Sequence, residues 1–232
     1  MFAINHAVTA LVVKKKYPQA PLLLLLISVQ LMELLWVTFN FIGIEYSMTE
    51  PTVSSVLDVH LTHMPYSHSI VSTLIVATIA CHVISKWLNK PKIAIATAIA
   101  ITSHVVLDLL THNRDIALAP FLDFNKLGLG LYAVPIVAFV VEMLYGILCW
   151  WIYRGSMQLL VTIVGFNLAN FTFFSTAIIG PESLLANQPQ VLTTVVFVQI
   201  VLTMTLVGRL SHRNKAHKTS SHHSGRREIH DI

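Results

Sequence analysis

From Leu22 to Ile44 the chain carries one charged side chain, Glu33, in an otherwise apolar run long enough to cross a lipid bilayer. Runs of this kind recur. Residues 22 to 44, 68 to 85, 93 to 111, 129 to 152, 157 to 179 and 190 to 208 read as membrane-spanning helices, because a hydrocarbon core of ~30 Å needs ~20 apolar residues. The stretch from Phe2 to Val13 is also apolar, but as a helix it reaches only about 18 Å, so a half-helix or interfacial piece is expected. Its Lys14-Lys15-Lys16 follows the apolar stretch and no cleavage pattern is seen, so it does not read as a removable signal peptide. Only 11% of the 232 residues are charged and 55% are hydrophobic, which leaves little for a soluble domain. The expected fold is an all-α polytopic membrane protein of about six transmembrane helices plus the short N-terminal half-helix. It forms one transmembrane domain over 1–210, followed by a disordered, basic, His-rich tail over 211–232.

Lysine and arginine set the orientation. If the loop after each odd-numbered span faces out, only Arg114 and Lys126 of the 15 Lys and Arg residues lie outside. The C-terminal tail is then cytoplasmic, and the loops 45–67, 112–128 and 180–189 face outward. Net charge of +4 follows from this topology and from contact with anionic lipid, and no nucleic-acid surface is expected. Cys81 and Cys149 both fall inside spans, where no disulfide framework is implied.

Ionisable residues within such spans are costly unless they are paired, bound to metal or exposed to a water-filled cavity. In Ile101-Thr-Ser-His104-Val-Val-Leu-Asp108-Leu-Leu-Thr-His112 three of them recur at four-residue steps, stacking on one helix face about 6 Å apart. Counting the helical rise along each span places Glu33, His104 and Glu142 near the midplane, with Asp108 and His112 continuing toward the outer surface where His68 opens the second span. His6 can join from below if the N-terminal piece inserts. The outer loop adds Asp58, His60 and His63. Imidazole and carboxylate are the ligand set of catalytic zinc sites, so His68, His104, Asp108 and His6 are the candidate metal ligands. Glu33 and His112 are the candidate catalytic groups, as further ligands or general base, and a carboxylate such as Asp115 can orient a ligand histidine. His82, near the inner end of its span, and Asn40, Asn167 and Asn170 read as helix-packing residues. His-Glu-x-x-His, Gly-x-Ser-x-Gly and Gly-rich phosphate loops are missing from the sequence.

The run Ser103-His104-x-x-Leu-Asp108-x-x-Thr-His112, with Tyr66-Ser-His68-Ser69, Asn5-His6 and Met32-Glu33-Leu-Leu-Trp36, resembles the bacterial inner-membrane family of LexA-binding, metal-dependent hydrolases over about residues 1 to 150. Where the better-known branch has Pro-Asp-x-Asp-His and His-Arg-Gly, this chain has Met32-Glu33-Leu-Leu-Trp36 and His63-Met-Pro-Tyr66, which marks a divergent branch. The resemblance implies the bacterial inner membrane and a metal-site core within 1–150. A more distant likeness to zinc-dependent phospholipase C suggests phosphoester substrates. The leading expectation is a zinc-dependent hydrolase whose partners are membrane lipid and a small-molecule or lipid phosphoester reached from the outer side. The alternatives are a cation or proton transporter with a Glu33, His104 and Glu142 relay, and a scaffold holding a structural metal.

Overall fold

The computed structural model describes residues 1–122, 126–175, 177–178 and 180–224, with side chains through Ser211. The chain is mostly helical. The helices are α1 (Ala3–Lys16), α2 (Leu22–Phe41), α3 (Ile70–Lys86), α4 (Pro91–Thr111), α5 (Pro135–Tyr153), α6 (Met157–Ala169) and α7 (Pro189–Ser224).

Local chemistry explains where these helices start. Ser69 and Ser156 cap α3 and α6 by accepting from the backbone N–H of Ser72 and Leu159 at 3.1 and 3.2 Å. Proline stands in the first turn of α4 and α5, where its fixed φ suits a helix and its missing N–H costs nothing. These starts shorten two of the expected spans. His68 and Ser69 belong to the turn before α3, and the run from Leu129 becomes helical only at Pro135 apart from a single 3-10 turn. The expected 157–179 span stops at Ala169, since Asn170 turns its side chain back to the Phe166 carbonyl at 2.7 Å and a 3-10 turn follows.

Among the described residues four helices, α2, α4, α5 and α7 as far as Ser211, are therefore long and apolar enough to cross a membrane, against the six expected. α3 and α6 are apolar but shorter, at 17 and 13 residues. Large aliphatic side chains such as Leu23, Ile75, Val137, Leu144 and Val161 are exposed on the bundle's outside, as a lipid-facing surface requires. The backbone of α7 continues through Ser224. The disordered tail expected over 211–232 otherwise falls on residues 225–232 and on side chains beyond Ser211, outside the described residues.

Two features depart from the sequence reading. First, α1 is neither interfacial nor at the edge: it packs against α2, α4, α5, α6 and α7, and Ala7, Val8, Ala10 and Leu11 are all fully buried. Its small residues let the surrounding helices approach it. Second, the fold is not purely helical. Tyr46–Thr49 (β1) and Val59–His63 (β2) pair as an antiparallel hairpin in the loop between α2 and α3, with Tyr46 opposite His63 and Thr49 opposite Val59. Both segments are rich in aromatic and β-branched residues, which suit a pleated ribbon. A capping box of Ser55 and Asp58 closes the loop between them.

A candidate metal centre inside the bundle

Three chain segments bring four ionisable side chains to one point. Glu33 comes from the middle of α2, His68 from the turn before α3, and His104 and Asp108 from successive turns of α4. One ligand atom from each of these four lies within 4.8 Å of every other. His104 Nε2 is 2.9 Å from Asp108 Oδ2 and 3.5 Å from Glu33 Oε2. His68 Nε2 is 3.4 Å from Glu33 Oε2 and 3.8 Å from Asp108 Oδ2. Donors bound at ~2.1 Å to a tetrahedral ion stand roughly 3.4 Å apart, so this group is already near the spacing that a zinc-sized cation needs.

The hydrogen-bond pattern tests the fit more sharply. His104 Nδ1 lies 3.2 Å from the Val29 carbonyl, which can only accept, so Nδ1 carries the proton and Nε2 of the neutral ring presents a lone pair. That lone pair faces a carboxylate oxygen, and among the described residues neither His104 Nε2 nor Asp108 Oδ2 has a partner in hydrogen-bond geometry although both are buried. Two acceptors held together in a buried site call for something positive between them. The residues present fit a divalent cation, and the two carboxylates would balance its charge. They could hold one, while the identity of the ion is left open by the donor set.

The remaining expected site residues take distinct places. His6, read as a ligand, stands beside the four-donor group: its ring stacks on that of His104 at 4.3 Å, and its Nε2 is 3.2 Å from the other Asp108 oxygen, Oδ1. The same oxygen accepts from the Met1 amine at 2.9 Å. His112 ends the α4 ladder with Nε2 3.9 Å from Asp108 Oδ1, and its Nδ1 donates to Asp115 Oδ2 at 3.3 Å. Glu142, placed by depth in the same cluster, belongs instead to a separate network: it accepts from Asn5 Nδ2 at 2.7 Å, the Phe2 backbone N–H at 3.0 Å and the Tyr132 hydroxyl at 2.9 Å. Asn167 Oδ1 joins that network through Asn5, and Asn170 Oδ1 accepts from Gln199 on α7, so these two link helices as expected, whereas the Asn40 side chain donates back to the Trp36 carbonyl within α2.

The loop histidines do not join the group. His60 pairs with Glu50 at 2.8 Å on the exposed face of the hairpin, His63 stacks on Tyr46, and Asp58 is held by Ser54 and Ser55. His82 is exposed on α3 rather than packed between helices. Two residues that sequence reasoning passed over touch the group instead. Glu45, fully buried just past α2, accepts from the backbone of Tyr66 and Ser67 and from the Ser67 hydroxyl, which in turn lies 2.9 Å from His68 Nδ1. The only available signal was a charged residue at the end of an apolar run, where solvation is the ordinary explanation.

Glu33, His68, His6, His112 and Asp115 line one end of a cavity of about 150 Å³. The rest of its lining is mostly apolar, Trp36, Val56, Leu61, Phe173, Leu192 and Val196 among it, with Asn113 and Gln199 as polar exceptions. Of the four donor residues, Glu33 has the most exposed side chain, at 20%, while His104 and Asp108 are sealed behind it. Compared with protein-family models, with curated proteins and with solved structures, the chain gives no match in any of the three.

Proposed function

We propose that this protein is a membrane-embedded, metal-dependent hydrolase, with zinc as its ion, acting on a lipid or other phosphoester that enters from the outer side of a bacterial inner membrane. The carrying observation is that three buried donors and the half-buried Glu33 meet at one point, two of them with an unpaired atom, and that Glu33 and His68 open on a mostly apolar cavity. In this reading the chain is multi-pass with its C-terminus cytoplasmic, and it keeps its resemblance to the LexA-binding, inner-membrane hydrolase family.

His68, His104 and Asp108 would hold the ion, and Glu33 would either complete the set or face the water. A bound zinc ion supplies Lewis acidity, lowering the pKa of a water molecule toward 7 and polarising the substrate's phosphoryl or carbonyl oxygen. Glu33, the donor open to the cavity, accepts the proton that the attacking water gives up. His112 commits its Nδ1 proton to Asp115, and its Nε2 on the site side, when the ring is the doubly protonated imidazolium, would give its proton to the departing oxygen and be reloaded with the one that Glu33 took from water. Trp36 and the valine and leucine side chains shape a dry wall for the apolar part of the substrate.

The test is metal content and turnover of the full chain purified in detergent. Wild type is expected to retain about one zinc per chain by elemental analysis and to hydrolyse a lipid phosphoester, and His104→Ala to lose both the zinc and at least ~100-fold of the rate. Equal zinc in the two proteins would overturn the site. Ion flux in proteoliposomes without hydrolysis would replace the enzyme with a transporter.

A further inference from the structure

Both histidines of the four-donor group must present Nε2 as a lone pair, and the structure secures this for His104 through the Val29 carbonyl. A carbonyl cannot donate, so its partner nitrogen has to be the protonated one. His68 has a more ambiguous neighbour. Its Nδ1 meets the Ser67 hydroxyl at 2.9 Å, and a hydroxyl can either donate or accept.

Glu45 removes the ambiguity. Its carboxylate is fully buried and has only acceptor lone pairs to offer. One oxygen, Oε1, takes the backbone N–H of Tyr66 at 2.8 Å and of Ser67 at 2.9 Å, and the other, Oε2, takes the Ser67 hydroxyl. The single hydroxyl hydrogen of Ser67 is thereby committed to Glu45. Ser67 Oγ must then accept from His68 Nδ1–H, so that in the neutral ring, the form that binds a metal, Nε2 is the bare nitrogen directed at Glu33 and Asp108. The hydrogen bonds run in one direction, from His68 through Ser67 to Glu45. The reach between adjacent residues is possible because Ser67 and His68 lie in a turn; on a helix neighbouring side chains diverge.

We propose that Glu45, acting through Ser67, is a positioning residue that fixes the tautomer and orientation of His68 for metal binding. This rests on reading the four-donor group as a metal centre. Carboxylate partners behind a ligand histidine commonly contribute 10–100-fold in metal affinity.

A purely structural role for Glu45, tying down the Tyr66–Ser67 backbone, makes different predictions. Ser67→Ala keeps both backbone bonds to Glu45 and removes only the relay. Glu45→Gln does more than break it: an amide nitrogen facing Ser67 donates to the hydroxyl, which then donates to His68 Nδ1 and moves the proton to Nε2, blocking the ligand atom. Ser67→Thr retains the hydroxyl.

The experiment measures zinc and cobalt affinity of the full chain in detergent by competition with a chromophoric chelator, alongside thermal melting. The ¹⁵N shifts of His68 in the metal-free protein report its tautomer directly. The expected order is a 10–100-fold loss for Ser67→Ala, a larger loss for Glu45→Gln, and affinity within about 3-fold of wild type for Ser67→Thr. Wild-type His68 is expected to be protonated on Nδ1, shifting to Nε2 in Glu45→Gln. Should Glu45→Gln fail to fold, the two Ser67 variants decide. Wild-type affinity in Ser67→Ala, or a wild-type His68 protonated on Nε2 and not on Nδ1, would overturn the relay alone. Failure of wild type to bind either ion would overturn the metal reading, and the role given to Glu45 with it.

Discussion

Two carboxylates buried inside this bundle are treated in opposite ways. Glu142 on α5 and Asp108 on α4 are almost completely buried, at 0% and 1% exposure. Glu142 is surrounded by donors from Asn5, Phe2 and Tyr132, so its burial is compensated within the protein. Asp108 Oδ2 faces the bare nitrogen of His104 and has no hydrogen-bond partner among the described residues. Burial alone therefore says little about function. What separates a structural polar cluster from a site is whether its donors and acceptors cancel internally or are left over for a ligand.

Removing Glu142 should break the structural side of this comparison. Glu142→Ala strands Asn5, Tyr132 and the Phe2 N–H in an apolar surround, and a loss of about 3 kcal/mol is expected, seen as a lower melting temperature in detergent with zinc content unchanged. Loss of zinc in that variant would merge the two clusters into one. A ligand-dependent effect should appear on the other side. Zinc at ~100 times its dissociation constant is expected to stabilise wild type by about 2.7 kcal/mol and to do nothing for His104→Leu, while the metal-free forms of the two differ by under about 1 kcal/mol. A large stability loss in metal-free His104→Leu would make the open cluster structural after all.

The smallest effect lies in the hairpin. Burial raises the Asp58 carboxyl, but hydrogen bonds from Ser54 and Ser55 outweigh it and hold the group below its ordinary value. A carboxyl depressed in the folded state contributes stability above its unfolded pKa of ~3.9 and loses it as pH falls further. Wild type below pH ~4 should therefore show the faster Ser54 and Ser55 amide exchange, corrected for intrinsic rate, that Asp58→Asn shows at pH 7. Zinc affinity at pH 7 should be the same in both. A matching drop in zinc affinity in Asp58→Asn would tie the hairpin to the centre.

The site was more legible than the architecture around it, for physical reasons. His104 and Asp108 stand out because charge inside an apolar helix is expensive and a four-residue step puts both on one face, and Glu33 and His68 follow from depth along their own segments. Depth along a span has no angular information, which is why Glu142 was grouped with them although α5 turns it toward Asn5 and Tyr132. His60 and His63 have metal-ligand chemistry, but the hairpin register points them elsewhere, and a short two-stranded ribbon leaves little periodic signal. Hydropathy likewise does not distinguish a helix facing lipid from one facing other helices, so the central burial of α1 and the early end of α6 at Asn170 were both invisible to it.

The central position of α1 has a consequence for biogenesis. This helix precedes the others in the sequence, yet the partners of its polar residues arrive late: Glu142 and Tyr145 on α5 and Asn167 on α6 receive Asn5 and Thr9. Until those helices are made, the Asn5 amide lacks the partners that it has in the finished bundle, and lipid offers none. Docking of α1 must therefore be a late event that waits for the downstream chain, so the bundle matures by closing around its earliest helix. A chain stopped before α6 should leave α1 accessible to cysteine-directed reagents at Asn5 or Thr9 positions replaced by cysteine, where the finished protein protects them.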